Sequence, residues 1–236
     1  VHRVSKNNTG ILLNQSKTLL DDNLDLILSC YKVQDIFFYS INPFKVEHTV
    51  QKFDKLKIDY ATLDNLDEDR ICLKNKYDLI TSFLSLHYSN DVIGSLIQYK
   101  KYLSKKGCFL SIILGGETLI ELKNCFIEVD EKCYGKTFPR VIPMIDTRII
   151  SSLFQRAKYN NPVITIEKIK LCYYSLKDLL YDLRELGQKN FLSIKNTHYD
   201  CRSYFSQVEE LYLQRFQIKE KIFATFEFII TFSANN

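Results

Sequence analysis

The sequence contains little glycine and proline and no tryptophan. Its 236 residues include 7 glycines and 4 prolines, and no glycine occurs between Gly10 and Gly94. Glycine lets a backbone turn tightly or approach a ligand closely, because it has no Cβ atom. This long span therefore lacks the glycine-rich turn with which many α/β proteins hold a nucleotide.

Other absences restrict the class of protein. No apolar run reaches the roughly 18–20 residues of a membrane-spanning helix, and the first ten residues are too polar for a secretory leader. The 32 basic and 28 acidic residues are scattered and give a net charge of +4, which does not indicate nucleic-acid binding. The 7 cysteines form no Cys-x-x-Cys pair, so neither a disulfide scaffold nor a zinc site is expected. These absences predict a soluble protein of a reducing compartment.

Short runs of β-forming residues alternate with segments of helical periodicity in the first half of the chain. The predicted strands are Ile11 to Leu13, Ile36 to Ile41, Ile58 to Leu63, Tyr77 to Phe83 and Cys108 to Leu114. The predicted helices are Leu19 to Tyr31, Phe44 to Leu56 and Asp91 to Leu103, with Gly107 closing the last of them. This alternation predicts βαβ units and a mostly parallel sheet.

The second half is predicted to be richer in helix. Helices are expected after Gly116 through about Cys133, from Thr147 to Lys158, from Ser175 to Leu186 and from Arg202 to Gln214, and strands at Val163 to Cys172 and Phe223 to Phe232. The last strand is expected to close the sheet in a hairpin. Because no linker or repeat marks a boundary, we expect a single domain over 1–236 with helical insertions at about 117–160 and 175–215.

Several stretches carry a resemblance to a known family. Tyr77 to Tyr88 is similar to the fourth-strand motif of class I S-adenosylmethionine (SAM) methyltransferases. Leu114 to Leu122, the loop Pro139 to Asp146, Leu179 to Gly187 and the strand Ala224 to Ile230 resemble the mitochondrial complex I assembly factor family, described as arginine hydroxylases, and its alphaproteobacterial relatives. The malonyl carrier-protein O-methyltransferases of biotin synthesis share the fourth-strand block and remain an alternative.

The resemblance implies a Rossmann-like α/β fold, a mostly parallel sheet with a C-terminal antiparallel strand. It lays the family's first strand on Ile11 to Asn14 and its glycine turn on Gln15 to Leu19, where this chain has no glycine. The implied cofactor-facing residues are Asn14, Ser16, Ser40, Asp64, Ser82 and Leu84. Ser40 replaces an acid that binds the cofactor ribose, a loss that would weaken binding by roughly 100-fold or more. SAM is the only cofactor implied, and its binding is in doubt.

Two residues are candidates for catalysis. His87 follows the fourth strand, and Glu117 follows the fifth, so both lie where ligands of open α/β sheets bind. The alternative interpretations are packing at a strand end for His87 and a helix start for Glu117, with Glu121 and Tyr134 as weaker candidates. His198 and Asp200 have the His-x-Asp spacing of iron oxygenases, but no second histidine is placed near them, so no metal is expected.

Two functional classes remain open at this point. The first is a protein-binding or assembly role with a degenerate SAM site, the partner being a respiratory complex subunit or an acyl carrier protein. The second is an active SAM-dependent enzyme that methylates a carboxyl group on a carrier-protein thioester or modifies a protein arginine. The expected location is the bacterial cytoplasm, with the mitochondrial matrix as the alternative.

Overall fold

The computed structural model describes residues 10–40, 56–62, 71–186 and 202–235. Its strands are β1 (Asp35–Ser40), β2 (Lys57–Thr62), β3 (Tyr77–Phe83), β4 (Leu103–Leu114), β5 (Val163–Tyr173), β6 (Gln217–Ile218) and β7 (Lys221–Ala234). Its helices are α1 (Ile11–Cys30), α2 (Val92–Tyr102), α3 (Ile120–Tyr134), α4 (Thr147–Arg156), α5 (Leu176–Glu185) and α6 (Arg202–Phe216). A short 3₁₀ helix spans Leu86–Tyr88.

The strands form one mixed sheet in the order β2-β1-β3-β4-β7-β5, with β6 paired to β7. β1 is parallel to both β2 and β3, and β3 is parallel to β4. β7 is antiparallel to β4 and also pairs with β6 in a hairpin. The mostly parallel α/β fold and the closing hairpin predicted from the sequence are therefore confirmed.

The described residues group into two compact units. The first, which we call the sheet unit, comprises residues 16–40, 56–62, 71–115, 145–167 and 228–235. The second, the helical unit, comprises residues 10–15, 116–144, 168–186 and 202–227. The single domain expected over 1–236 stays a prediction.

Aromatic and aliphatic side chains fill the core of the sheet unit. Register places Phe37, Ile80 and Phe109 side by side across β1, β3 and β4, so they share one face of the sheet. The Phe109 ring lies 5.3 Å from the Tyr99 ring of α2 and 6.0 Å from the Phe154 ring of α4. Helices α2 and α4 therefore bury their apolar sides on this face of the sheet.

The helical unit combines aromatic packing with buried charge. The Phe126 ring of α3 stacks on the Tyr204 ring of α6, with centroids 6.4 Å apart. The buried carboxylate of Asp130 accepts hydrogen bonds from the Tyr204 hydroxyl at 2.7 Å and from Arg140 Nε at 2.8 Å. The Arg140 guanidinium, whose side chain is 10% exposed, lies 4.4 Å from the Tyr204 ring centre. This contact ties the loop after α3 to both helices.

The strand predicted at Ile11 to Leu13 is wrong, because these residues begin the 20-residue helix α1. The buried positions Leu12, Ser16, Leu19 and Leu20 recur at helical spacing. The carboxylate of Asp182 also caps this helix, accepting the backbone N–H of Gly10 at 3.1 Å and of Leu12 at 3.0 Å. A cap supplied from 170 residues along the chain is not visible in local sequence.

Gly107 was predicted to close helix α2, and this prediction is wrong. The helix ends at Tyr102, and Gly107 lies inside β4, where the register between β3 and β4 shifts. A Cβ atom on Gly107 would lie 2.9 Å from the Tyr77 carbonyl oxygen. The glycine is needed here because an irregular strand pairing brings two backbones close together.

The remaining elements agree with the predicted ones to within a few residues, and their ends have local causes. Asp91 caps α2 by accepting the Gly94 N–H at 2.9 Å, and Asp146 caps α4 by accepting the Arg148 N–H at 2.8 Å. Ser175 caps α5 by accepting the Asp178 N–H at 3.2 Å. The helix predicted from Phe44 lies outside the described residues apart from its last position.

Candidate functional site

The carboxyl ends of β1 and β3 meet at one edge of the sheet unit. The two strands are parallel neighbours, and Ser40, the last residue of β1, pairs with Phe83, the last residue of β3. Ligands of open α/β sheets bind outside the carboxyl ends of the strands. We call the predicted residues gathered here, Ser40, Ser82, Leu84 and His87, the strand-end site.

The chain leaves β3 through a tight and buried turn. Leu84 has a φ of 51°, in the left-handed region that residues other than glycine rarely adopt. Its backbone N–H donates to the Ile112 carbonyl of β4 at 2.7 Å, which holds the turn in place. The hydroxyls of Ser82 and Ser85 lie 2.9 Å apart and link the end of the strand to the start of the turn. These two hydrogen bonds stabilise the turn.

His87 lies in the 3₁₀ helix that follows the turn, and only 6% of its surface is exposed. Its ring centre is 4.5 Å from that of Tyr88. Burial raises the pKa of the Tyr88 hydroxyl well above its ordinary value, so this tyrosine stays protonated at cellular pH. The structure places His87 at the edge expected from the sequence, and its catalytic role stays a prediction.

Glu117, the second catalytic candidate, belongs to a cluster of charges in the helical unit. Lys168 Nζ lies 2.8 Å from Glu117 Oε1 and 3.4 Å from Glu227 Oε1. The backbone N–H of Glu117 donates to Glu227 Oε2 at 3.1 Å. The hydrogen bond with Glu117 raises the pKa of the Lys168 ammonium above its ordinary value. Glu117 is therefore held in an ion pair.

Lys168 and Glu227 were not identified from the sequence. Glu227 is 2% exposed, between Phe226 and Phe228 on β7. An acid flanked by two phenylalanines in a strand is a detectable signal, because a buried carboxylate requires a charged or hydrogen-bonding partner. The sequence does not reveal which residue is that partner, since Lys168 lies on β5, 59 positions before Glu227.

The weaker candidates have structural contacts in the helical unit. Glu121 is buried and accepts the Thr225 N–H at 2.9 Å, and the Thr225 hydroxyl donates to the same carboxylate. Lys123 donates to the Gly116 carbonyl at 3.1 Å, and burial lowers the pKa of its ammonium. The Tyr134 ring lies 5.6 Å from the Phe138 ring. These contacts stabilise the start and end of α3.

The residues laid on the cofactor turn are not in a loop. Asn14 is exposed on α1, and its backbone N–H donates to the Gly10 carbonyl at 2.8 Å. Ser16 is fully buried on the same helix. The prediction that Asn14 ends a strand and Ser16 lies in a turn is therefore wrong, because both residues lie within helix α1. Asp64 lies outside the described residues.

Metal and thiol chemistry is limited in the part of the chain that the structure describes. No group of three or more His, Cys, Asp or Glu side chains there could hold a metal ion, and His198 and Asp200 fall outside it. Burial raises the pKa of the Cys108 thiol to about 12 and that of the Cys125 thiol to about 11. None of the described helices is long and apolar enough to cross a bilayer.

Comparison with known proteins identifies relatives of two kinds. The chain is 30% identical over 154 residues to the mitochondrial arginine hydroxylase NDUFAF5 of Dictyostelium discoideum, which covers 64% of this chain and 35% of that protein. It is 25% identical over 184 residues to a protein of Rickettsia prowazekii named as a methyltransferase, covering 77% and 76% of the two chains. It is 24% identical over 155 residues to a malonyl-[acyl-carrier protein] O-methyltransferase of Gallionella capsiferriformans, covering 66% and 51%.

The chain thus spans well under half the length of the arginine hydroxylases that it matches, 35% in Dictyostelium and 42% in mouse. No protein-family profile matches the chain.

Solved structures support the fold. A methyltransferase-type protein of Bacillus halodurans aligns over 91% of this chain and 98% of its own, with a TM-score of 0.57 and 9% identity. The YcgJ protein of Bacillus subtilis aligns over 94% and 99%, with a TM-score of 0.51 and 10% identity. The chain has a Rossmann-like α/β fold and is similar in sequence to the arginine hydroxylase NDUFAF5 and to malonyl carrier-protein O-methyltransferases.

Proposed function

We propose that this chain acts by binding a partner protein and that its SAM site is degenerate. The observation that carries the proposal is the direct pairing of β1 with β3, in which Ile36 to Ser40 lies opposite Leu79 to Phe83. In the Rossmann order 3-2-1-4-5, the first strand lies between the second and the fourth. The resemblance makes β1 the second strand and β3 the fourth.

This sheet therefore has no place for the first strand of the Rossmann order between β1 and β3. β1 has β2 on one side and β3 on the other, so both of its edges are hydrogen-bonded. In the Rossmann fold the glycine-rich turn follows the first strand and lets the backbone approach the cofactor. The residues that the resemblance lays on that strand and turn belong to helix α1 instead. The described residues do not fit SAM in the usual arrangement.

The end of β1 supports the same proposal. Ser40 occupies the position at which the resemblance implies a ribose-binding acid, and this serine is buried. A neutral hydroxyl forms weaker hydrogen bonds to a diol than a carboxylate does. The strand-end site retains buried polar groups, Ser82 and His87, and these could contact a partner or a different small molecule.

Calorimetric titration with SAM and with S-adenosylhomocysteine tests the proposal. We expect no saturable heat and no thermal shift at ligand concentrations of about 1 mM. A Ser40→Asp variant provides the matched control, because it restores the acid without altering the sheet order. The strand order predicts that this variant also fails to bind. Micromolar binding by the unmodified chain would overturn the proposal, whereas binding by Ser40→Asp alone would make the lost acid, rather than the strand order, the cause of the degeneracy.

An active enzyme is the second candidate, and the relatives' names favour it. One relative is named as a malonyl-[acyl-carrier protein] O-methyltransferase and another as an arginine hydroxylase. Methyl transfer depends mainly on holding the acceptor in line with the sulfonium, so it does not require a recognisable base. Incubation with labelled SAM and a malonyl-loaded carrier protein distinguishes the candidates, since transfer of label would support the enzyme. The partner in the assembly role is proposed to be a respiratory complex subunit or an acyl carrier protein, in the bacterial cytoplasm or the mitochondrial matrix.

A further inference from the structure

A basic groove lies between the ends of α2 and α4 in the sheet unit. It has a volume of about 330 Å³ and is lined by Ile97, Lys100, Lys101, Arg156, Ala157 and Lys158. Four of the six lining residues are cations. Ile97, which is 40% exposed, supplies the apolar part of the lining, since Ala157 is 2% exposed. We call this feature the basic groove.

The positive charge in the basic groove is not neutralised within the described residues. None of its four cations forms an ion pair with an acid in that part of the chain. The net charge of the whole sequence is only +4, so such clustering is not a consequence of a strongly basic composition. Like charges at close range repel, and an anionic partner would relieve that repulsion.

One cation of the basic groove, Lys100, is held in place by contacts within the groove. The Lys100 ammonium donates to the Lys158 carbonyl and lies 5.3 Å from the Tyr159 ring centre. Lys158 has a φ of 61°, and this left-handed turn after α4 directs its carbonyl toward Lys100. Burial and the neighbouring charge of Lys158 lower the pKa of the Lys100 ammonium. A cation that is already held in place loses less conformational entropy on binding than a mobile side chain would.

Helix dipoles explain part of this cluster. Lys100 and Lys101 lie in the last turn of α2, and Arg156 lies in the last turn of α4, where cations stabilise a helix by about 0.3–1 kcal/mol each. The dipoles do not explain why the two ends adjoin around an apolar lining. They also do not explain Lys158, which follows the end of its helix.

The chemistry of the lining favours a protein segment as the occupant. Carboxylates would pair with the cations, and an aliphatic side chain would cover the exposed Ile97. A nucleic acid would be bound by cations spread along a stripe that follows the phosphates, combined with aromatic side chains for the bases. The four cations here line one compact groove of about 330 Å³ instead.

We propose that the basic groove docks an acidic segment of a partner protein that presents carboxylates on both sides of an aliphatic residue. The proposal rests on the protein-binding role proposed above and gives that role a surface. The Lys76 ammonium donates to the Lys101 carbonyl, which places the basic groove near the amino ends of β3 and β4. The strand-end site lies at the opposite end of β3, about 20 Å away for a strand of this length. A docked partner would leave the strand-end site open.

A binding assay with a synthetic amphipathic peptide, rich in glutamate and leucine, tests the docking proposal. We expect the peptide to bind the unmodified chain at low salt and to be released as salt is raised. The double variant Lys101→Glu with Arg156→Glu should weaken binding about tenfold or more, since both side chains are exposed and each change reverses a charge. Lys100 is left intact because it shapes the groove.

A matched control reverses two exposed cations elsewhere, Lys177→Glu with Lys219→Glu in the helical unit. It makes the same change in net charge, and binding should change by less than about threefold. Ile97→Ala should weaken binding severalfold by removing the apolar contact. Equal loss in the control and the groove variant would overturn the proposal, as would failure of the peptide to bind.

Two further probes separate other classes of partner. Vesicles containing phosphatidylserine and a single-stranded oligonucleotide are each tested against the unmodified chain and the groove variant. Tighter binding of either probe than of the peptide, lost in the groove variant, would overturn the choice of an acidic protein segment. SAM binding by calorimetry would overturn the degenerate-site proposal while leaving the peptide result standing, so the two failures are distinguishable.

Discussion

The two units of this protein bury different kinds of side chain. In the described residues all four buried carboxylates, Glu121, Asp130, Asp182 and Glu227, lie in the helical unit. The buried polar residues of the sheet unit are serines, threonines and His87. The sheet unit is therefore held mainly by apolar packing, and the helical unit depends in addition on charged hydrogen bonds.

This difference follows from the architecture of each unit. A parallel sheet satisfies its backbone groups internally, so its faces can be covered by apolar helices. The helical unit must fix loops and helix ends, whose backbone N–H groups have no partner in regular structure. Asp182 caps α1, Asp130 binds the Phe138 N–H at 3.1 Å, and Glu227 binds the Glu117 N–H. Buried carboxylates are suited to this task because they accept several hydrogen bonds at once.

The largest expected effect is the loss of an aromatic side chain from the core of the sheet unit. Phe109→Ala removes a fully buried ring that contacts Tyr99, Phe154 and Tyr159. We expect the free energy of unfolding to fall by about 4 kcal/mol, because a cavity replaces the ring. Urea unfolding followed by far-UV circular dichroism measures this. Phe205→Ala, at a residue that is 38% exposed, is the control and should cost less than about 1 kcal/mol.

The next effect tests buried charge in the helical unit. Arg140→Ala leaves the Asp130 carboxylate buried without its cation, and we expect a loss of about 3 kcal/mol in the same urea assay. Arg215→Ala is the matched control, since its ion pair with Glu128 is 48% exposed on both sides. That control should cost no more than about 1 kcal/mol. Equal losses in the two variants would show that the helical unit does not depend on buried charge.

A smaller effect is expected at the cap of α1. Asp182→Ala leaves the N–H groups of Gly10 and Leu12 and the Tyr173 hydroxyl without their acceptor. We expect the free energy of unfolding to fall by about 2 kcal/mol. Asp182→Asn keeps one acceptor oxygen and should cost less. If neither Asp182→Ala nor Asp182→Asn lowered the free energy of unfolding, the Asp182 cap would not stabilise the helical unit.

The asparagine variant also gives a pH test with a defined sign. Burial raises the pKa of the Asp182 carboxyl, so the folded protein binds this proton more tightly than the unfolded chain. The stability that this group contributes is therefore complete below its unfolded pKa and is lost as pH rises through its folded pKa. Relative to Asp182→Asn, the unmodified chain should gain stability as pH is lowered from about 7 to about 4. A constant difference between the two proteins would contradict the raised pKa.

Much of the fold could be predicted from local sequence. Tyr77 to Phe83 was predicted as a strand with its observed ends, because β-forming residues bounded by polar ones give a clear signal. Helix α2 was predicted within one residue at each end, since Asp91 is a strong N-cap. Ile11 to Leu13 was predicted incorrectly, because its three apolar residues fit a strand as well as the first turn of a helix.

The candidate site could be predicted only in part. The resemblance and the predicted strand ends place Ser40, Ser82, Leu84 and His87 at the carboxyl ends of parallel strands, which lie at one edge of a sheet. The contacts of Lys168 with Glu117 and Glu227 could not be predicted, because they join residues distant in sequence. The direct pairing of β1 with β3 was equally inaccessible, since strand order depends on the whole chain rather than on either segment.

Each unit also contains a shielded thiol, Cys108 in the sheet unit and Cys125 in the helical unit, and both are fully buried. At neutral pH almost none of either sulfur is present as thiolate, the form that oxidants and alkylating agents attack. Peroxide should therefore modify exposed Cys30, Cys72 and Cys133 first. Oxidation of these two fully buried sulfurs would therefore show that the surrounding unit had opened.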